Sequence, residues 1–238
     1  MPTPVRYPNG VTNVKATSPL RNYPGPDPRR LHQFWDDFDN YTAADWVITD
    51  VGTDTRAVSA GADGGVLVLT TGGTEDDGTF LQYSGATSST TVETFTFAAG
   101  QQLWFACRFK IDLGTQSDFV MGLQVTDTTP IAVADGVFFR KDDGDANIDF
   151  VVISSGASNT TTTAIATITD ATYTELAFYH NGVDAIEYYK DGIKLGTVAV
   201  TNMPSTELAV SFGVQAGSGA AVAMSIDYIL AAKTRTVI

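Results

Sequence analysis

A single cysteine, Cys107, excludes an internal disulfide, so no covalent cross-link holds this chain's fold together. It sits in the apolar run Leu103-Trp104-Phe105-Ala106-Cys107-Arg108-Phe109, where a small buried hydrophobe is expected. Histidine is nearly as scarce, and His32 with His180 cannot build a site of three histidines. No apolar run approaches the roughly 20 residues that cross a bilayer, and the N-terminus has no apolar signal core. A soluble, unsecreted protein with no membrane partner is therefore expected. A glycine-rich phosphate loop, paired zinc cysteines and a serine nucleophile elbow are all missing, which leaves nucleotide and acyl-transfer chemistry without support.

Proline is abundant only at the start. Seven of the nine prolines fall in the first 28 residues, together with Arg6, Lys15 and Arg21 and just ahead of Arg29 and Arg30. Up to Gln33 the only acidic residue is Asp27, giving a net charge near +4, whereas residues 34–238 hold 9 basic against 26 acidic side chains, near −17. An arm (1–33) thus precedes an acidic body (34–238). Prolines every few positions and few large apolar residues deny the arm a core of its own, so its order must come from a partner. The acidic body repels phosphates, and no nucleic-acid partner is expected.

The body reads as strands. Short β-branched and aromatic runs alternate with Gly, Asp, Asn and Ser from Asp45 onward, and no amphipathic helix stands out. About fourteen strands are predicted at sandwich spacing, including Thr91 to Phe97, Gln102 to Asp112, Gly136 to Lys141 and Ala223 to Ala232. Asp191-Gly192 between Glu187-Tyr188-Tyr189-Lys190 and Ile193-Lys194-Leu195 is a strong hairpin signal, because that turn needs residues tolerant of positive φ. Asp142-Asp143-Gly144-Asp145 marks a second turn.

Four features carry a resemblance to the concanavalin-like lectin and glucanase jelly roll: Trp104 to Lys110, Gly136 to Arg140, Tyr188 to Gly192, and Ile226-Asp227-Tyr228-Ile229-Leu230. The resemblance implies an all-β fold, a two-sheet antiparallel β-sandwich with an extended N-terminal arm. Arg6-Tyr7-Pro8-Asn9-Gly10-Val11-Thr12-Asn13-Val14 also resembles an N-terminal segment of head structural proteins of tailed bacteriophages. Arm and sandwich together resemble a capsid decoration, or cement, protein. That resemblance implies a non-enzymatic virion protein on the outer capsid surface, with the major capsid protein and sister copies, as in a trimer, for partners. The contacts would come from Arg6, Tyr7, Pro8, Asn9, Val11, Val14, Leu20, Arg21, Tyr23, Arg29 and Arg30.

Chemistry in the body finds few candidates. Glycosidases of this jelly-roll class project carboxylates from alternate positions of one strand, as Glu-x-Asp-x-x-Glu, to flank the scissile bond. That motif is absent, and Glu75, Glu93, Glu175, Glu187 and Glu207 are scattered, so no enzyme is expected. Asp36-Asp37-Phe38-Asp39 and the Asp142 turn lack the spaced ligand pattern of a calcium loop and are expected to be solvated charge and turn residues, with no metal or other cofactor. The alternatives are a glycan-binding adhesin using Trp35, Trp46, Tyr83, Asn147 or Tyr189, and a glucanase-like hydrolase involving Glu187.

Overall fold

The computed structural model describes residues 31–62, 64–85, 94–156 and 158–235. In chain order its strands are β1 (Leu31–Asp36), β2 (Trp46–Val51), β3 (Thr55–Val58), β4 (Leu67–Thr70), β5 (Gly78–Tyr83), β6 (Leu103–Ile111), β7 (Ser117–Gln124) and β8 (Gly136–Lys141). There follow β9 (Asn147–Ser154), β10 (Ser158–Thr167), β11 (Thr174–His180), β12 (Ala185–Lys190), β13 (Ile193–Ala199), β14 (Ala209–Ala216) and β15 (Ala223–Thr234). Two antiparallel sheets stack face to face. Sheet A runs β13-β12-β11-β6-β15-β4-β3, with β1 also paired to β15, and sheet B runs β10-β9-β8-β7-β14-β5-β2. The all-β sandwich expected from the sequence is the fold observed. No helix among the described residues is long and apolar enough to cross a membrane.

Alternation builds the core. On β6, Phe105, Cys107, Phe109 and Ile111 point inward to meet Phe119, Phe139, Phe150, Phe178 and Phe212 from neighbouring and facing strands. Phe150 stacks on Tyr188 at 5.1 Å and lies 5.8 Å from Phe178, tying the two sheets through rings. At the predicted β12–β13 turn, Asp191 and Gly192 take φ of 50° and 73°, the left-handed pair that a two-residue hairpin requires.

The two outer faces differ. Over sheet B, Phe80, Val120, Phe138 and Val151 form a second apolar layer with Val133, which belongs to the connection between β7 and β8. That connection is fastened by buried amides: Gln82 Nε2 donates to the Val125 carbonyl at 3.0 Å and Gln124 Nε2 to the Pro130 carbonyl at 2.9 Å. Gln82 Oε1 also accepts from the Asp127 amide. Phe80 packs so closely on β14 that a Cβ at Gly213 would fall 2.3 Å from its ring. Sheet B is thus closed by its own loop. Sheet A turns a mixed face to the outside, and the site lies there.

Candidate functional site

Outward residues on β6, β11, β15 and β1 divide sheet A's outer face in two. One half is apolar, with Trp104, Tyr179, Tyr189, Leu31 and Leu230 among its members. The other is polar. Antiparallel register sets Glu175 on β11 opposite Arg108 on β6, and Arg108 opposite Tyr228 on β15. The β6–β15 register shifts between Ile226 and Tyr228, a bulge at Asp227 that sends an extra side chain to the same area. Such bulges re-aim side chains near functional sites.

Within this half, the Tyr228 hydroxyl donates to Glu175 Oε2, and Arg108 Nη1 donates to Asp227 Oδ2. The Arg108 guanidinium lies 4.3 Å from the Tyr173 ring centroid, with Lys110 Nζ at 5.0 Å from the same ring. Burial, and then the Glu175 carboxylate, push the Tyr228 phenol far up, so it remains a proton donor at neutral pH. Trp35 on β1 stacks on Tyr228 at 5.2 Å and 24°, yet keeps 50% of its surface exposed. Beside it opens a cleft of about 270 Å³ lined by Trp35, Asp36, Asp37, Asp39, Asp45 and Trp46. Burial raises Asp36 above the ordinary carboxylate value, with repulsion from Asp37, Asp45 and Asp39 adding to the rise.

Glu175 and Asp227 stand on the two strands that flank Arg108, their backbones two strand spacings apart, roughly 9.6 Å, and Arg108 and the Tyr228 hydroxyl lie between the two carboxylates.

Other residues marked from the sequence go elsewhere. Glu187 is held by Lys194 Nζ at 2.7 Å and by the Tyr189 hydroxyl. It sits about four residues along the strands from Glu175, some 14 Å away, too far to act with it. Trp46 and Tyr83 pack on each other at 5.5 Å at the core margin, and Tyr189 is fully buried, so of the five glycan candidates Trp35 presents open ring surface at this site while buried Trp46 only borders the cleft beside it. Glu75 and Asp77, two positions apart, lie in the β4–β5 turn, where Asp77 Oδ2 accepts from the Thr74 amide at 3.1 Å. In the Asp142 turn, Asp145 accepts from the Asn147 amide at 2.6 Å and from its side-chain Nδ2 at 2.8 Å, and Asp118 accepts from the Asp143 amide at 2.6 Å. Asn147 serves that turn rather than a sugar. No group of three metal-ligating side chains occurs among the described residues. Cys107 has no exposed surface, and burial pushes its thiol far up, out of the reactive range. Arg6, Tyr7, Pro8, Asn9, Val11, Val14, Leu20, Arg21, Tyr23, Arg29 and Arg30 lie outside the described residues.

Sequence reasoning did not assemble Arg108, Tyr173, Glu175, Asp227 and Tyr228. All but Tyr173, which immediately precedes β11, belong to strands that were recognised, but Arg108 and Asp227 are 119 positions apart, and their meeting depends on β6 and β15 being neighbours.

No family model and no curated protein sequence matches the chain. Solved structures do. A protein of unknown function from Shewanella oneidensis aligns at 15% identity and TM-score 0.60, over 88% of this chain and 90% of that one. An endo-β-1,4-glucuronan lyase from Trichoderma reesei aligns at 12% and 0.58, over 85% and 95%. A glycoside hydrolase family 16 endo-glucanase from Bacteroides ovatus aligns at 12% and 0.58, over 82% and 98%. The shared feature is the fold. These neighbours correct the expectation that the chain is not an enzyme, because its sandwich is one on which a hydrolase and a lyase are built. A missing one-strand motif does not exclude an enzyme, because carboxylates can also be brought together from different strands of one sheet.

Proposed function

We propose that this chain is a carbohydrate-active jelly roll that binds an extended β-linked glucan on the polar half of sheet A's outer face and cleaves it by hydrolysis. The observation that carries the reading is the half-exposed Trp35 ring, stacked on Tyr228 beside Glu175 and Asp227. A flat ring with open surface offers a platform for the C–H face of a pyranose, and carboxylates at its margin accept from sugar hydroxyls. Glu175 and Asp227 are assigned as the acid and base, and Arg108 positions Asp227. The hydrolase and lyase neighbours support an enzyme on this scaffold.

The test is a panel of mixed-linkage β-glucan, laminarin, cellulose oligomers and glucuronan. New reducing ends report hydrolysis, and ultraviolet absorbance of an unsaturated uronic product reports elimination. We expect reducing ends from a glucan without that absorbance, lost in Glu175→Gln and in Asp227→Asn. Neither binding nor cleavage on any member of the panel would refute the assignment.

A further inference from the structure

Arg108 has a carboxylate directly opposite it and pairs with another. Glu175 on β11 is its cross-strand partner, and opposite charges so placed attract. Yet Arg108 Nη1 donates to Asp227 Oδ2, at the bulge on β15, while Glu175 Oε2 accepts from the Tyr228 hydroxyl. The guanidinium therefore needs a hold on one side. We propose that Tyr173 is a positioning residue, whose ring keeps Arg108 turned onto Asp227 and away from Glu175. Its part in turnover rests on the glycan reading, whereas the placement of Arg108 does not.

The Arg108 guanidinium carbon lies 4.3 Å from the Tyr173 ring centroid, within cation–π range, and a planar guanidinium stacks on a ring as an ammonium does not. Extending the β6–β11 register by one residue sets Tyr173 opposite Lys110, diagonal to Arg108 on the same outward face, and Lys110 Nζ lies 5.0 Å from the ring. Burial and then Asp227 raise the Tyr173 phenol while Arg108 opposes the rise, as expected of a ring beside both members of the ion pair. The ring is itself fixed. Thr174, which follows it and opens β11, is buried opposite Phe109. Two residues before the ring, the Ala171 amide donates to the Ile111 carbonyl at 2.6 Å, and Asp170 Oδ1 accepts from the Gly114 amide at 2.7 Å, so the approach to β11 is tied to the end of β6. Arg108 keeps 41% of its side chain exposed, and without the ring its long stem is free to swing toward either carboxylate. An acid and a base need different surroundings, and a guanidinium held to Asp227 keeps them different.

The test uses the full chain with isotopically labelled arginine, the Arg108 guanidinium resonance being assigned by its loss in Arg108→Lys. With Tyr173 in place, Asp227→Asn should move that resonance and Glu175→Gln should leave it nearly unmoved. In Tyr173→Leu it should lose its ring-current shift and respond to both substitutions alike, and Tyr173→Phe, which keeps the ring, should restore the first behaviour. A resonance indifferent to Tyr173→Leu, or one that follows Glu175→Gln with Tyr173 in place, would overturn the proposal. On a glucan that the chain cleaves, Tyr173→Leu should lower kcat about fivefold with KM changed less than about twofold, the scale of one cation–π contact, and Tyr173→Phe should recover it. An unchanged kcat beside a lost ring-current shift would overturn the part in turnover. If the unsubstituted chain cleaves no glucan, the glycan reading fails instead, and the arginine spectrum still decides where Tyr173 holds Arg108.

Discussion

Trp35 and Tyr228 illustrate how one stacked pair divides two tasks. Trp35 presents open ring surface, while Tyr228 beneath it spends its hydroxyl on Glu175. Trp35→Ala should leave the thermal midpoint nearly unchanged, because half of the ring is already in water. It should weaken glucan binding about tenfold, the order of a lost aromatic contact of about 1.4 kcal/mol. Tyr228→Phe keeps the ring under Trp35 and removes only the donor to Glu175. Binding should then persist while turnover falls, since the hydroxyl no longer holds that carboxylate in place. Binding titrations beside initial-rate measurements separate the two variants. Equal losses of binding in both would mean that the pair acts only as packing.

The segment from Thr94 to Gln101 shows what an element does when it is not a strand. Alternation at Thr91 to Phe97 predicts one, but residues 91–93 lie outside the description and Phe95 makes only an isolated bridge with Leu208. Both histidines grip this segment: His32 lies 4.8 Å from the Phe95 ring and His180 5.3 Å from Phe97. Burial lowers both imidazoles, helped at His32 by Arg235 and Lys233, while a backbone hydrogen bond with Gln101 opposes the fall at His180. Lys233, which bonds Thr96, feels Glu207 in turn. With the folded values below about 6.5, the unfolded chain binds more protons just under that pH, so stability falls on acidification from there. Asp36, Asp37, Asp54 and Asp118 are raised by burial and carry the opposite sign, adding stability as they take up protons on acidification. The melting midpoint should drop between about pH 7.5 and about pH 5.5, with amide exchange across 94–101 rising first, and His180→Gln should flatten the drop. A midpoint that holds or rises over that range would contradict the assignment.

The same elements show why much of the fold was legible and the site was not. Alternation and turn residues are local, so β8, β11 and β12 lie where the sequence places them. β1 was not, because Leu31 to Asp36 straddles the arm and an acidic run and is ordered only by β15, some 200 positions on. Short, exposed β3 left no apolar alternation to read. The polar half-face depends on the β11-β6-β15 adjacency and on the bulge at Asp227, both products of non-local pairing. Nor does any local pattern disclose that the β7–β8 connection closes sheet B and leaves sheet A as the outward polar surface.

At the scale of the molecule, fold and charge make different statements about substrate. The jelly roll is shared with a glucan hydrolase and a glucuronan lyase, so it does not choose between a neutral and an anionic polymer. Charge does. Beyond the arm the chain holds 26 acidic against 9 basic residues, and Asp36, Asp37, Asp39 and Asp45 gather at the cleft beside Trp35. Arg108 is committed to Asp227, which leaves little positive field for a uronate carboxylate. A polyanion approaching this surface meets repulsion that fades with added salt, while a neutral glucan meets none. Affinity for neutral β-glucan should therefore change less than about twofold between about 50 mM and about 500 mM salt, and glucuronan should bind more weakly at the lower concentration. Tighter glucuronan binding at low salt would mean that Arg108 and Lys110 set the local field despite the surrounding carboxylates. The substrate would then be an acidic polysaccharide, and Tyr173, which sits under both cations, would become the residue to replace next.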